Sequence, residues 1–210
     1  MIRVKICGIK TLPDALTAAE AGTDLLGFNF YAKSRRFIEA RVCAEITYIL
    51  KRGYPSIQLV GVFVNSSIED INKIMKLCGL DLAQLHGDEP VEMVSALDGK
   101  AFKAFRGVPV DVERFARNAS PAFLVDASVE GLYGGSGVTA DWNAAAELAK
   151  RYPLLLAGGL NQDNVAEAVQ HVKPWGVDVA SGVEVSPGQK DPDKIKAFVN
   201  TVKSTQIEWR

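Results

Sequence analysis

The chain has 210 residues, and its 24 basic and 25 acidic side chains leave a formal charge of −1. Such a balance lacks the basic excess typical of nucleic-acid-binding proteins, so we expect no nucleic-acid partner. No apolar run is long enough to cross a membrane, and the first residues lack the apolar stretch of a signal peptide. Three cysteines without framework spacing predict reduced thiols in a cytoplasmic protein.

Eight apolar runs recur along the chain and determine the predicted architecture. Each unit of about 26 residues has room for one strand, one helix and two short loops. Near-continuous apolar strands are typical of a parallel sheet that helices cover. We therefore predict one α/β domain over residues 1–210, a (β/α)₈ TIM barrel, with an open doubly wound sheet as the alternative. The predicted strands cover residues 2–6, 25–31, 57–64, 80–85, 101–105, 122–125, 154–157 and 177–180.

Several segments between these runs begin with residues that cap helices. Thr11 stands two residues before a proline, and Asp191 stands directly before another. Ser66 and Glu69 have the spacing of a capping box, in which each side chain bonds the other residue's backbone N–H. These positions predict helix starts, because an uncapped first turn leaves its N–H groups unpaired.

Cys7 ends the first apolar run and Asp126 ends the sixth, where a barrel of this kind carries its active site. Alternation puts Cys7 on the same inward face as Lys5 and Arg3, and a nearby cation favours thiolate over thiol. A lone cysteine in an apolar strand is commonly a packing residue, however, and an aspartate at a strand end commonly caps a loop or pairs with lysine. The sequence pattern therefore leaves both interpretations of Cys7 and Asp126 open.

Further polar residues lie at the ends of the second and fourth predicted strands. Gln84 and His86 share one face of the fourth strand, and we predict that both contact a bound ligand. His86 is better explained as a hydrogen-bonding residue than as a base. Arg36 follows Arg35 in the loop after the second strand, where paired arginines are commonly solvated.

Two glycine-containing turns follow the seventh and eighth strands. Gly158 and Gly159 end the seventh unit's strand, and Ser181 and Gly182 end the eighth. Phosphate-binding barrels present backbone N–H groups at these two units, and glycine lets a phosphate approach the backbone. We predict a phosphate site there, although two tight turns would have the same sequence. The glycine-rich loop at residues 129–139 is predicted to close over the substrate.

The sequence carries no motif for a metal or an organic cofactor. It has only two histidines, and neither Cys-x-x-Cys nor His-x-x-x-His spacing occurs. Its glycines form neither a dinucleotide fingerprint nor a P-loop. We expect no metal and no cofactor, and a small phosphorylated molecule as the ligand.

Six segments lie at the strand ends in chain order: K-I-C-G-I, G-F-N-F-Y-A-K-S-R-R, A-Q-L-H-G-D-E, L-V-D with Y-G-G-S-G, A-G-G-L-N-Q-D-N-V and V-D-V-A-S-G-V-E. Together they resemble the phosphoribosylanthranilate isomerases of tryptophan biosynthesis. The resemblance covers the chain from its first strand to its final helix.

The resemblance implies a cofactor-free Amadori rearrangement, the third step from chorismate. It implies that Asp126 is the general acid and Cys7 the general base. Arg36 would hold the anthranilate carboxylate, and the glycine turns of units seven and eight would hold the phosphate. Asp178 lies in the last matched segment, but alternation does not put it on the face of Ser181, so we leave it out of the predicted site.

Other functions remain possible beside this resemblance. Another sugar-phosphate isomerase could use the same barrel, although a metal-dependent epimerase would need more histidine and carboxylate ligands than the chain has. The indole-forming synthase of the same pathway would have a longer segment before its first strand. A catalytically silent barrel that binds a phosphorylated metabolite would need the glycine turns but not Cys7 together with Asp126. The chain is predicted to be a monomer or a homodimer.

Overall fold

The structure is a computed structural model that describes residues 1–109, 111–116, 119–127 and 139–207, with side chains omitted at 139–141. Eight parallel strands form a closed barrel in which each strand pairs with the next along the chain and the last pairs with the first. This confirms the predicted TIM barrel and contradicts the open-sheet alternative. Each predicted strand lies within two residues of an observed one. The strands are β1 Arg3–Cys7, β2 Leu25–Asn29, β3 Gln58–Phe63, β4 Leu82–Leu85, β5 Ala101–Arg106, β6 Phe123–Asp126, β7 Leu154–Ala157 and β8 Gly176–Val179.

Helices cover the outside of the barrel and a short hairpin follows β8. Between β5 and β6 the described residues contain a single 3₁₀ turn, Val112–Arg114, where the eightfold pattern predicts a helix. A second 3₁₀ turn, Ser181–Val183, leads from β8 into an antiparallel pair, β9 Glu184–Ser186 and β10 Gln189–Lys190. Among the described helices, none combines the length and the apolar composition that a membrane span requires. The helices are α1 Leu12–Glu20, α2 Ala40–Gly53, α3 Ile68–Cys78, α4 Val91–Ala96, α5 Thr139–Ala149, α6 Val165–Val172 and α7 Pro192–Ser204.

Two of the three predicted helix caps are observed, and the third lies one residue further along the chain. Thr11 accepts a hydrogen bond from the Asp14 N–H at 3.3 Å, and Asp191 caps α7 in the same way, as predicted. The predicted capping box at Ser66 is wrong by one residue, because Ser67 is the cap of α3. Ser67 has the extended backbone that directs its hydroxyl back over the first turn, where it accepts from the Asp70 N–H at 3.1 Å.

Side-chain alternation divides the barrel into an apolar shell and an interior with two parts. Outward-facing strand residues such as Val4 and Ile6 pack under the helices. The inward-facing residues of most strands are apolar, but β1, β4 and β8 contribute the buried polar residues Lys5, Gln84 and Asp178. The apolar interior residues on the strands are Leu25, Val60, Leu82, Phe102, Ala104, Leu124, Leu155 and Ala157.

Asp24 connects the first two strands to the last helix. Its carboxylate accepts hydrogen bonds from the Val4 N–H at 2.8 Å, from Arg3 at 2.7 Å and from Lys203 at 2.6 Å. Burial alone would raise the pKa of Asp24, but the hydrogen bonds, that from Lys203 above all, outweigh burial and hold this pKa below its ordinary value. The charged carboxylate therefore stabilises the barrel where the chain's two ends meet.

We predict that Asp24→Asn lowers the free energy of unfolding by about 1–2 kcal/mol at pH 7, because three charge-assisted hydrogen bonds are weakened. The pKa of Asp24 is lower in the folded state than in the unfolded state. The stability difference between wild type and Asp24→Asn is therefore fully present above the unfolded pKa of about 3.9, and it is lost as the pH falls through the folded-state pKa. Urea unfolding at neutral and acid pH measures both effects.

Asp81→Asn is the matched control for Asp24→Asn. Asp81 also accepts a strand N–H, from Leu59, but its ion pair with Lys51 is exposed and screened by solvent. We expect a smaller loss of stability for Asp81→Asn. Equal losses in the two variants would contradict the importance given to the Asp24 contacts.

Candidate active site

The thiol of Cys7 lies inside the barrel at the carboxyl end of β1. Cys7 and Lys5 are both buried and point inward, as alternation predicts. Gly27 is the register partner of Cys7 on β2. A Cβ atom at Gly27 would lie 2.9 Å from Cys7 Sγ and 3.0 Å from Lys5 Nζ, so the missing side chain makes room for both groups.

Lys5 forms a buried ion pair across the seam that closes the barrel. Its Nζ lies 2.9 Å from Asp178 Oδ1, and the two residues are register partners on β1 and β8. Asp178, which the sequence analysis leaves out of the site, therefore lies among the groups that act on Cys7. Strand β8 ends at Val179 and Ser181 lies in the following 3₁₀ turn, so strand alternation does not relate Ser181 to Asp178.

The pKa values of this cluster reflect burial and charge together. Burial raises the pKa of the Cys7 thiol, and the nearby Asp178 carboxylate raises it further, whereas Lys5 and Lys190 lower it. The balance is a raised pKa, so the thiol form is favoured despite the effect predicted for Lys5. Burial lowers the pKa of Lys5, but Asp178 and Cys7 outweigh burial and raise it, which keeps the ammonium charged.

Arg36 is fixed beside Cys7 rather than solvated. Its Nε and Nη2 donate to Glu184 Oε1 and Oε2, both at 2.8 Å. Its aliphatic stem covers Gly8, where a Cβ atom would lie 2.5 Å from Arg36 Cδ. Gly8 also has a positive φ of 81° that a larger residue would rarely adopt. Glu184 additionally accepts from the buried Lys190 at 3.0 Å, so one carboxylate serves two cations.

Gln84 and His86 form a hydrogen-bonded pair at the end of β4. Gln84 Nε2 lies 3.1 Å from His86 Nδ1, and Gln84 Oε1 is buried without a hydrogen-bond partner among the described residues. Burial lowers the pKa of His86, partly opposed by the carboxylates of Asp178 and Asp126. A cavity of about 340 Å³ lies beside His86, between the ends of β4 and β5. The pair therefore presents an unsatisfied acceptor near a neutral imidazole.

A buried ion pair outside the predicted site holds the loop that carries His86. Lys103 Nζ lies 3.1 Å from Glu89 Oε2 and also donates to the carbonyls of Leu85 and Gly87. Glu89 accepts from the N–H groups of Asn65 and Gly87, both at 2.8 Å. These contacts join the loops after β3 and β4 and fix the backbone on either side of His86.

Asp126 ends β6 on the inward face that it shares with Leu124 of the barrel interior. Its side chain is partly exposed. The carboxylates of Asp178 and Asp126 both raise the pKa of His86, against the larger lowering by burial. The carboxyl group of Asp126 is therefore located at the mouth of the barrel, with access to a ligand that enters from solvent.

The two glycine turns of units seven and eight lie in direct contact. Gly158 and Gly159 have positive φ angles of 103° and 61°. A Cβ atom at Gly182 would collide with the carbonyl oxygen of Leu160, so the β8 turn packs against the backbone of the β7 loop. Asn164 donates to the Gly159 carbonyl at 3.0 Å and stabilises the β7 loop. Both turns thus form one backbone surface, as a shared phosphate site requires.

The described site residues that the sequence predicts lie at the carboxyl ends of the strands or in the loops that follow them. The glycine-rich part of the predicted lid, residues 128–138, lies outside the described residues. Sequence analysis missed Glu184 and Lys190, although Glu184 ends the last matched segment, V-D-V-A-S-G-V-E. Among the residues that the structure covers, no three His, Cys, Asp or Glu side chains are grouped as metal ligands would be.

A parallel barrel with reactive side chains and glycine turns at the carboxyl ends of its strands has the layout of a TIM-barrel enzyme. Residues 4–201 match the family model described as N-(5'-phosphoribosyl)anthranilate (PRA) isomerase. The chain belongs to this family and is an isomerase.

Individual relatives agree over nearly their whole length. The N-(5'-phosphoribosyl)anthranilate isomerase of Roseiflexus sp. (strain RS-1) is 49% identical over 209 residues, which cover 95% of this chain and 96% of the relative. The crystal structure of phosphoribosyl anthranilate isomerase from Thermotoga maritima has a TM-score of 0.84 and 41% identity, and covers 97% of this chain and 99% of its own. A phosphoribosyl anthranilate isomerase in complex with reduced 1-(o-carboxyphenylamino)-1-deoxyribulose 5-phosphate has a TM-score of 0.79 and 37% identity, with the same coverage.

We predict that His86 titrates below the ordinary histidine pKa of about 6.5, because burial disfavours its charged form. Its Nδ1 should accept from Gln84, which leaves the proton on Nε2. Nitrogen-15 NMR of the imidazoles from pH 5 to 8 measures both properties, and His171→Asn assigns the two histidine signals. A midpoint at or above 6.5, or a proton on Nδ1, would contradict this description.

Proposed function

We propose that the chain converts N-(5'-phosphoribosyl)anthranilate into 1-(2-carboxyphenylamino)-1-deoxyribulose 5-phosphate, the third step from chorismate in tryptophan biosynthesis. The observation that carries the proposal is the pairing of an inward thiol at the end of β1 with an inward carboxyl at the end of β6. Family membership and the relative that binds the reduced product support the same reaction.

Asp126 is the general acid of this proposal. It donates a proton to the ring oxygen of the ribose as the C1'–O bond breaks, and the amine nitrogen's electron pair forms the protonated imine. A partly exposed carboxyl at the barrel mouth can regain its proton from solvent after each turnover.

Cys7 is the general base. Its thiolate removes the C2' proton of the protonated imine, and the electron pair of the C–H bond forms an enolamine, which tautomerises to the ketone product. Because burial favours the neutral thiol, the thiolate depends on cations close to Cys7. The reaction therefore needs a carboxylic acid at Asp126 and a thiolate at Cys7 when the substrate is bound.

Arg36 is the proposed partner of the anthranilate carboxylate. Glu184 uses the Nε–Nη2 edge of the guanidinium, which leaves the Nη1 edge for a substrate carboxylate. Because Gly8 lies under the stem of Arg36, a carboxylate bound there would be close to Cys7. Gln84 Oε1 supplies a buried acceptor for a ribose hydroxyl, which would satisfy an oxygen that otherwise lacks a partner.

The phosphate is proposed to bind the backbone N–H groups around Gly159 and Gly182. The contact between the two turns allows one phosphate to reach both. Backbone amides suit a phosphate dianion because they donate hydrogen bonds without needing a side-chain cation.

The test follows the fluorescence of N-(5'-phosphoribosyl)anthranilate, generated in place from anthranilate and phosphoribosyl pyrophosphate by a transferase. Wild type should consume the substrate rapidly, and Cys7→Ser and Asp126→Asn should each lower kcat by about 10²- to 10⁴-fold, the usual contribution of a general acid or base. Cys43→Ala and Asp98→Asn are matched controls on α2 and on an exposed loop, and both should retain activity.

Inactivity of the wild-type chain would overturn the isomerase proposal. Binding of ribose 5-phosphate by an inactive wild type would then favour a silent phosphometabolite-binding barrel. Full activity of either site variant would remove that residue from its proposed role.

We predict that Arg36→Met raises KM by about 10- to 100-fold, equivalent to the loss of about 1.5–3 kcal/mol for a hydrogen bond between charged groups. Arg35→Met is the matched control, because Arg35 is the exposed neighbour in the same loop. Its KM should stay near the wild-type value. Steady-state kinetics with both variants measures the difference, and equal changes in KM would contradict a specific role for Arg36.

A further inference from the structure

Two charged clusters lie next to Cys7, and they differ in net charge. Lys5 and Asp178 form a pair with one charge of each sign. Arg36, Lys190 and Glu184 form a triad in which two cations share one carboxylate. The triad therefore has an excess of one positive charge, whereas the pair has none.

The triad is built into the fold at the end of the barrel. Lys190 is buried on β10, where its Nζ donates to the Ala180 carbonyl at 2.9 Å and to Glu184 Oε1 at 3.0 Å. Glu184 begins β9 and clamps the guanidinium of Arg36 with two bonds of 2.8 Å. The stem of Arg36 lies over Gly8, the residue after Cys7. The excess charge is thus fixed beside the thiol.

Charged groups face the thiol from every side of the barrel mouth. Lys5 is on its own strand and Asp178 is on β8, while the triad reaches it from β10 and from the loop after β2. Across the mouth, Asp126 on β6 and the neutral His86 on β4 complete the ring. Lys5 lowers the pKa of the thiol and Asp178 raises it, and Lys190 of the triad acts in the same direction as Lys5.

We propose that Lys190 is a positioning residue for catalysis: its ammonium, held by Glu184 and Ala180 in a triad with one excess positive charge, favours the thiolate form of Cys7. Lys5 acts in the same direction from the strand of Cys7 itself, opposed by its ion-pair partner Asp178. The inference rests on the proposed function only in calling that thiolate the base. The charge relation itself concerns the free protein and can be measured without substrate.

The experiment is a set of four variants that changes the triad's charge in single steps. Lys190→Met removes the excess charge, and Glu184→Gln adds one more. The double variant Lys190→Met/Glu184→Gln restores the excess of one, although it lacks the ion pair. Lys190→Arg keeps the charge with a different shape. The pH dependence of alkylation by iodoacetamide, followed peptide by peptide with mass spectrometry, separates Cys7 from Cys43 and Cys78.

We expect the pH midpoint of Cys7 alkylation to depend on the net charge of the triad rather than on the hydrogen bonds within it. Lys190→Met should shift it to higher pH, Glu184→Gln to lower pH, and the double variant and Lys190→Arg should stay near wild type. At pH 7 the alkylation rate of Lys190→Met should fall several-fold, because the rate follows the thiolate fraction. The acid limb of the kcat/KM profile should move in the same order.

Two results would overturn the proposal. One is an unchanged midpoint in Lys190→Met. The other is a double variant that shifts as far as Lys190→Met, since lost contacts rather than charge would then be the cause. If Lys190→Met does not fold, Glu184→Gln tests independently whether added positive charge moves the midpoint to lower pH. A chain that shows the ordered midpoints but no isomerisation would contradict the proposed function and leave the charge relation intact.

Discussion

The ion pair between Lys5 and Asp178 lies at the seam where β8 meets β1 and closes the barrel. An ammonium in this interior would lose several kcal/mol of hydration without a partner, and the carboxylate at the register position offsets that loss. The same pair adjoins the thiol of Cys7 and changes its pKa in two opposing directions. Closure of the fold and the electrostatics of the site therefore depend on the same two side chains.

Much of the fold follows from short-range properties of the sequence. Apolar runs of four to eight residues form strands wherever both faces are buried, which is why all eight were predictable to within two residues. The period of two also predicts that Cys7 and Lys5 share an inward face, because both residues lie inside one regular strand. Caps were predictable where one polar residue preceded a helix, whereas the neighbouring serines 66 and 67 were distinguished only by backbone conformation.

The residues that sequence reasoning missed are joined by contacts over long distances in the chain. Asp178 pairs with a lysine 173 residues away, and Glu184 with an arginine 148 residues away. No local periodicity relates such positions. Alternation fails beyond β8, where the chain enters a 3₁₀ turn and a hairpin that the repeating strand–helix pattern does not contain. The charge balance around Cys7 thus became visible only with the closed barrel.

The hairpin after β8 extends this dependence on distant contacts to the loop after β2. Gly188 packs its backbone against the Arg35 carbonyl, while Glu184 holds the guanidinium of Arg36. A segment near the chain's end thereby fixes the loop after β2 and supplies Lys190 beside the thiol of β1. In the unfolded chain Cys7 would be solvated by water, and none of these charged groups would lie near it. Because closing such long loops costs entropy that only the complete barrel recovers, the protonation behaviour of Cys7 is a property of the closed fold rather than of its local sequence.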